Sequence, residues 1–274
     1  MLQFRFFCRK RIFRLYPELW GGVLLNFLII LILYGSHIKW RPYVLFQFTQ
    51  ATFLQFWTPD CLRGYGCGTP NGSLWTICVM VQTYIVLWIL YKLLHGKKKT
   101  IWIVANIIFI MLNFSPQVIQ RILPVILYKL YLQTFVPYLW LFILGATISE
   151  FYEELSQFLI KYWYIFAIVA FAIFLGGFDK ITMGAYSVIK ALAVAPAIIG
   201  FSYRFPKLEL KKDFSYGIYI YHMIVINLMI QLGLTGKFQF ILIAFILSFG
   251  ISIISFLTIV AWGRKKKVMK SLNL

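Results

Sequence analysis

The feature that most limits what this chain can fold into is a succession of eight apolar stretches. They are Leu19–Tyr34, Leu74–Leu94, Thr100–Phe114, Phe135–Ile148, Tyr162–Phe178, Met183–Tyr203, Phe214–Leu234 and Phe238–Trp262. A spanning helix needs ~20 mostly apolar residues to cover ~30 Å of hydrocarbon. Lipid offers no hydrogen bonds, so each segment must satisfy its own backbone, and a helix does so locally. The expected fold is all-α, a polytopic integral membrane helical bundle with about eight transmembrane helices. Composition agrees. The chain is 61% hydrophobic and 13% charged, where a soluble domain has about 45–50% and about 25%. The third and fourth stretches are short. Ile122–Val136, with Pro124 and Pro137 near its ends, could instead be an interfacial helix, and aromatic Pro42–Trp57 could lie in the interface or re-enter.

Lys and Arg in short loops set orientation. One side receives Arg5, Arg9, Lys10, Arg11, Arg14, Lys97–Lys99, Lys161, Arg204, Lys207, Lys211, Lys212, Arg264–Lys267 and Lys270, eighteen in all. The other receives Lys39, Arg41, Arg63, Arg121, Lys129, Lys180 and Lys237. This split places both termini in the cytoplasm. It also assigns most of the +19 net charge to topology, so no nucleic-acid partner is implied. A long basic start without a small-x-small site after the first apolar run predicts that Leu19–Tyr34 is retained. No solenoid-length repeat or linker interrupts residues 1–274, which read as a single membrane domain.

Cys61 and Cys67 share a Gly-rich outer loop, Gly35–Ser73, and could pair or remain free. No His or second Cys pair accompanies them, so no metal site is read.

Ionisable residues inside a membrane are costly and are candidates for function. Of the eight acids, none is read as intramembrane. His222 lies about two turns into the seventh stretch. Helical spacing puts Ser215, Tyr219 and His222 roughly on one face, with Tyr216 nearby. The stripe could bind a polar substrate or move a proton; the plainer alternative is a hydrogen-bonded His among interface tyrosines. Arg9-Lys10-Arg11-Ile-Phe-Arg14 places Arg11 and Arg14 one turn apart, and guanidinium forks grip phosphate. Positive-inside anchoring against anionic membrane lipids explains the same residues. Asn71-Gly72-Ser73-Leu74-Trp75-Thr76 reads as a turn into a helix, with Ser73 as N-cap and Trp75 at interface height.

Taken in order, these segments resemble membrane-bound acyltransferase family 3, polytopic proteins many of which O-acetylate surface polysaccharides. Arg9–Trp20 resembles its basic segment with an Arg-x-x-Arg pair, here Arg11 and Arg14. Asn71–Thr76 with Gln82 and Tyr84 resembles its Asn-Gly-Ser-Leu-Trp-Ser/Thr motif. Asp213–His222 resembles its late Ser-Tyr-Gly-x-Tyr-x-x-His signature, and Phe142–Ala146 resembles a mid-domain segment. The likeness covers nearly the whole chain. Family members usually have ten core spans, so the resemblance implies an N-terminally incomplete member without the first two spans and the usual catalytic His. Met80 stands where the family has Glu, and Val260 ends a Ser-x-x-x-x-Glu pattern begun at Ser255.

The resemblance implies an O-acyltransferase of the bacterial inner membrane. It would move an acyl group, most simply acetyl, from acyl-CoA to a hydroxyl of a cell-surface polysaccharide or its lipid-linked precursor. Acetyl-CoA is then a co-substrate, with no bound cofactor. Lys10, Arg11 and Arg14 would hold the donor. Ser73, Trp75, Ser215, Tyr216 and Tyr219 would contact substrate. His222 is the available candidate base. The missing spans would then lie upstream or be supplied by another polypeptide. Two alternatives stay open: an inactive or partial homologue that binds glycan or lipid without turnover, and a transporter or flippase for a lipid-linked sugar.

Overall fold

A computed structural model describes residues 2–177, 187–206 and 213–260. Among these the regular structure is helical. In chain order the helices are α1 (Leu2–Tyr34), α2 (Trp40–Gln50), α3 (Trp75–Leu94), α4 (Lys99–Leu112), α5 (Ser115–Ile122), α6 (Val125–Tyr131), α7 (Leu139–Glu150), α8 (Tyr152–Leu175), α9 (Val188–Arg204), α10 (Ser215–Gln231) and α11 (Phe238–Ser255), followed by a π turn at Phe256–Val260. Five helical segments are long and apolar enough to cross a membrane: Phe4–His37, Gly72–Leu94, Lys99–Ile122, Tyr152–Leu175 and Phe238–Ile259.

Several expected boundaries move. α1 starts well before Leu19 and continues through Pro17. The third expected stretch is not short, because α4 and α5 run on as one segment of 24 residues. The fourth is short, with α7 holding 12 residues. α9 and α10 hold 17 each, a rise of about 26 Å. The first part of Met183–Tyr203 and the end of Phe238–Trp262 lie outside the described residues, as do Lys180, Lys207, Lys211, Lys212 and the basic tail. α6 occupies part of the candidate interfacial stretch.

The chain divides into two compact units. One comprises Met1–Cys78 with Lys212–Leu274, and the other Val79–Lys211. In the first, α1 packs on α10, and α10 on α11. α2 and the outer loop close a core of Ile30, Tyr43, Phe46, Leu62 and Tyr65. Tyr43 lies against Phe27, with ring centroids 5.3 Å apart, and donates to the Phe27 carbonyl at 2.8 Å. Burial pushes the Tyr65 phenol up to about 12, so it stays neutral. Cys61 and Cys67 are free thiols.

In the second unit α8 and α9 form a tight hairpin. Gly200 permits it, since a Cβ there would lie 2.3 Å from the Leu159 carbonyl oxygen and 2.6 Å from Trp163 Cβ. Gly200→Ala should therefore destabilise this unit by about 1–3 kcal/mol through overpacking, read as a lowered melting temperature in detergent. An unchanged melting temperature would mean that the hairpin relaxes freely. At the end of α7, Glu150 accepts from the Gly96 N–H, His95 Nδ1 and the Tyr91 hydroxyl at 2.9, 2.9 and 3.0 Å. The Gly96 bond first, and His95 next, hold this carboxyl below its ordinary range.

Candidate functional site

Three segments distant in sequence meet in the first unit: the basic turn of α1, the loop Asn71–Thr76, and the start of α10. On α1, Lys10 lies over the Phe6 ring at 4.3 Å and Arg11 over the Phe7 ring at 5.4 Å. Arg14, one turn on, is 3.6 Å from Asp213. Asp213 precedes α10, and its Oδ1 accepts from the Ser215 N–H at 3.0 Å and the Ser215 hydroxyl at 2.6 Å. Ser215 is thus exposed and turned back toward Asp213. Tyr216 donates to the Leu15 carbonyl at 3.0 Å, which ties α10 to the turn that carries Arg14.

The loop meets the next turn of α10. Tyr219 donates to the Ser73 carbonyl, and its oxygen also bonds the Thr76 hydroxyl. Asn71 Nδ2 donates to the Ile220 carbonyl at 3.0 Å. Ser73 is not the N-cap expected for α3. A 3₁₀ turn at Gly72–Leu74 precedes that helix, and the Ser73 hydroxyl donates to Asn71 Oδ1 at 2.8 Å. The helical turn begins at Gly72, so Ser73 lies inside it and Asn71 precedes it. Trp75 is the first residue of α3 and is half-buried. In this arrangement both Tyr216 and Tyr219 direct their phenol protons at backbone carbonyls.

His222 follows one turn after Tyr219, with ring centroids 5.9 Å apart. Its Nδ1 lies 2.8 Å from the Tyr219 carbonyl oxygen and 3.2 Å from that of Ile218. A carbonyl only accepts, so Nδ1 carries a proton, and in the neutral imidazole Nε2 is then the nitrogen with the lone pair. Neutral imidazole in this tautomer presents a base.

Two residues that sequence reasoning missed stand elsewhere in the same unit. Glu18 is 5% exposed, against the expectation of no intramembrane carboxylate. It falls one residue before the apolar stretch Leu19–Tyr34, but α1 is already helical there and carries it into the interior. Its Oε1 is buried without a hydrogen-bond partner among the described residues. Gly217 makes the room, because a Cβ there would meet Ser252 Oγ at 2.3 Å and Glu18 Oε1 at 2.6 Å. Ser255 lies near Glu18 and accepts from Tyr221 at 2.8 Å. Ser255 is the serine after which the resemblance anticipates an acid, so the missing acid at Val260 was a signal to look for a carboxylate elsewhere.

Asn227 is fully buried and fixes the outer loop. Its Oδ1 accepts from the Cys67 N–H at 2.7 Å, and its Nδ2 donates to Thr69 and Pro70 carbonyls at 3.2 and 3.1 Å. Gln231 accepts from the Gly66 N–H at 3.0 Å. An amide inside Met-Ile-Val-Ile-Asn-Leu-Met-Ile was the readable sign. Among the described residues, no group of three or more His, Cys, Asp or Glu is placed to hold a metal ion.

A family model described as an acyltransferase domain matches residues 3–260. Nodulation protein 10 of Rhizobium leguminosarum bv. viciae is 24% identical over 256 residues, covering 83% of this chain and 66% of that protein. The chain thus spans slightly less than two thirds of that relative's length. No solved structure matches it.

Proposed function

This chain belongs to acyltransferase family 3, and we propose on that footing that it moves an acyl group, most simply acetyl, from acyl-CoA to a hydroxyl of a cell-surface polysaccharide or its lipid-linked precursor. A bacterial inner membrane suits this reading, with the donor reaching the basic turn of α1 from the cytosol.

The observation that carries the proposal is the contact of His222 Nδ1 with the Tyr219 carbonyl oxygen, which leaves Nε2 as the basic nitrogen of the neutral ring. A sugar hydroxyl is a poor nucleophile until a base takes its proton. His222 Nε2 is that base here, with Nδ1 anchored on the Tyr219 carbonyl at 2.8 Å. The hydroxyl oxygen bonds to the acyl carbon, the thioester C–S bond breaks, and the proton passes from Nε2 toward the departing thiolate. Lys10, Arg11 and Arg14 hold the donor's phosphates by charge-assisted hydrogen bonds. Ser73, Trp75 and Ser215 meet the acceptor. Tyr216 and Tyr219 brace the site, and either phenol can donate to the developing oxyanion only by leaving its backbone carbonyl.

Arg14→Ala should weaken acyl-CoA binding about tenfold or more, within the range for a lost hydrogen bond to a charged group, while membrane insertion persists. Titration of the purified chain with a non-hydrolysable acyl-CoA thioether measures this. Unchanged affinity would reduce Arg14 to a topology anchor. Vesicles holding the chain should also pass label from acetyl-CoA into hydroxyl esters; binding of glycan without transfer would support the inactive-homologue reading instead.

A further inference from the structure

We infer that Asp213 competes with the acyl donor for Arg14, so that its charge sets donor affinity. The inference rests on the reading of Arg14 as a phosphate-gripping residue.

The Arg14–Asp213 pair is built to exchange. Its N···O distance is 3.6 Å, and the two side chains are 60% and 58% exposed. A tight guanidinium–carboxylate hydrogen bond is about 2.7–2.9 Å long, and exposed pairs at longer range contribute little. The carboxylate has a second duty that keeps it in place. Oδ1 holds the Ser215 N–H and hydroxyl at the start of α10, while Oδ2 faces Arg14. Arg14 can leave without disturbing the turn. The carboxylate then remains beside the vacated position as a negative charge facing an incoming phosphate.

The charges around Arg14 come from both packed helices. On α1, Lys10 and Arg11 lie one turn before it and Glu18 one turn after it, buried. On the α10 side, among the described residues, stand Asp213 and the Tyr216 hydroxyl, which donates to Leu15. Among the described residues, Asp213 is therefore the exposed acid at this turn. A phosphate offers the guanidinium fork two oxygens and more charge than a carboxylate, so it displaces Asp213, but against an opposing charge.

Asp213→Asn isolates the effect. The amide keeps an Oδ1 acceptor for both Ser215 bonds, and Asn caps helices as well as Asp does; only the charge is lost. Titrating the full chain in nanodiscs with a non-hydrolysable acyl-CoA thioether should show about two- to fivefold tighter binding for Asp213→Asn, the scale of an exposed ion pair. The gain should vanish in an Arg14→Ala background. Asp213→Ser, another capping residue, should repeat the result if the Asn variant inserts poorly. Unchanged or weaker binding in a variant that inserts normally would overturn the competition. If Arg14→Ala itself binds as tightly as the wild type, the phosphate-grip reading fails first, and that outcome is distinguishable from failure of the competition alone.

Discussion

His222→Ala should lower the rate of acyl transfer at least about a hundredfold, the lower end of what a positioned base contributes, with insertion and acyl-CoA binding unchanged. The imidazole is half-buried, and among the described residues its contacts are to its own helix, the Tyr219 and Ile218 carbonyls at 2.8 and 3.2 Å and the Tyr219 ring. Removing it takes away no contact between helices that the hydrogen bonds record, so the loss falls on turnover. His222→Gln sharpens the test. Glutamine can donate to the Tyr219 carbonyl but offers no basic nitrogen, so it should be as inactive as alanine. A glutamine variant with near wild-type turnover would return His222 to a packing role.

Asn227→Leu should cost the first unit about 1–3 kcal/mol. Leucine is similar in volume, so the loss is one of hydrogen bonding. It strands the Pro70 carbonyl, whose bond is buried, and the Cys67 N–H and Thr69 carbonyl, whose bonds are part-buried and open to replacement by water; a buried polar group left unmade costs about 1–3 kcal/mol. The loop they belong to leads directly into Asn71 and Ser73. Gly66 adds a steric condition. It sits at φ 56°, and a Cβ there would lie 2.1 Å from Asn227 Oδ1, so the loop fits only around this amide. Thermal unfolding in detergent, with limited proteolysis of the outer loop, measures the effect. A loss under about 1 kcal/mol would mean that water replaces Asn227 and that the loop is held elsewhere.

Apolar run length made the helical membrane fold legible, because hydrocarbon leaves the backbone few options. Spacing made the Tyr219–His222 face legible, because residues three apart share a helix face. Ser73 was misjudged as a cap. The helical turn starts at Gly72, ahead of it, in a loop whose Asn71 amide is held by α10 from 149 residues away, and no local rule reports such a partner. Glu18 was missed for a related reason. Hydropathy ended the first apolar stretch at a charged residue, whereas burial depends on Gly217 and Ser252 arriving from two other helices. The Asp213–Arg14 pair was equally hidden, since its members are brought together by the packing of α1 on α10.

The central claim is that this chain carries out acyl transfer with His222 as its base. Transfer of radiolabel from [¹⁴C-acetyl]-CoA to a hydroxyl acceptor in membrane vesicles tests it most directly, with wild type and His222→Gln compared at matched insertion. The prediction is label released by hydroxylamine as an ester product in the wild type and at least about a hundredfold less in the variant. Equal label in the two, or none in a wild type shown to bind acyl-CoA, would contradict it.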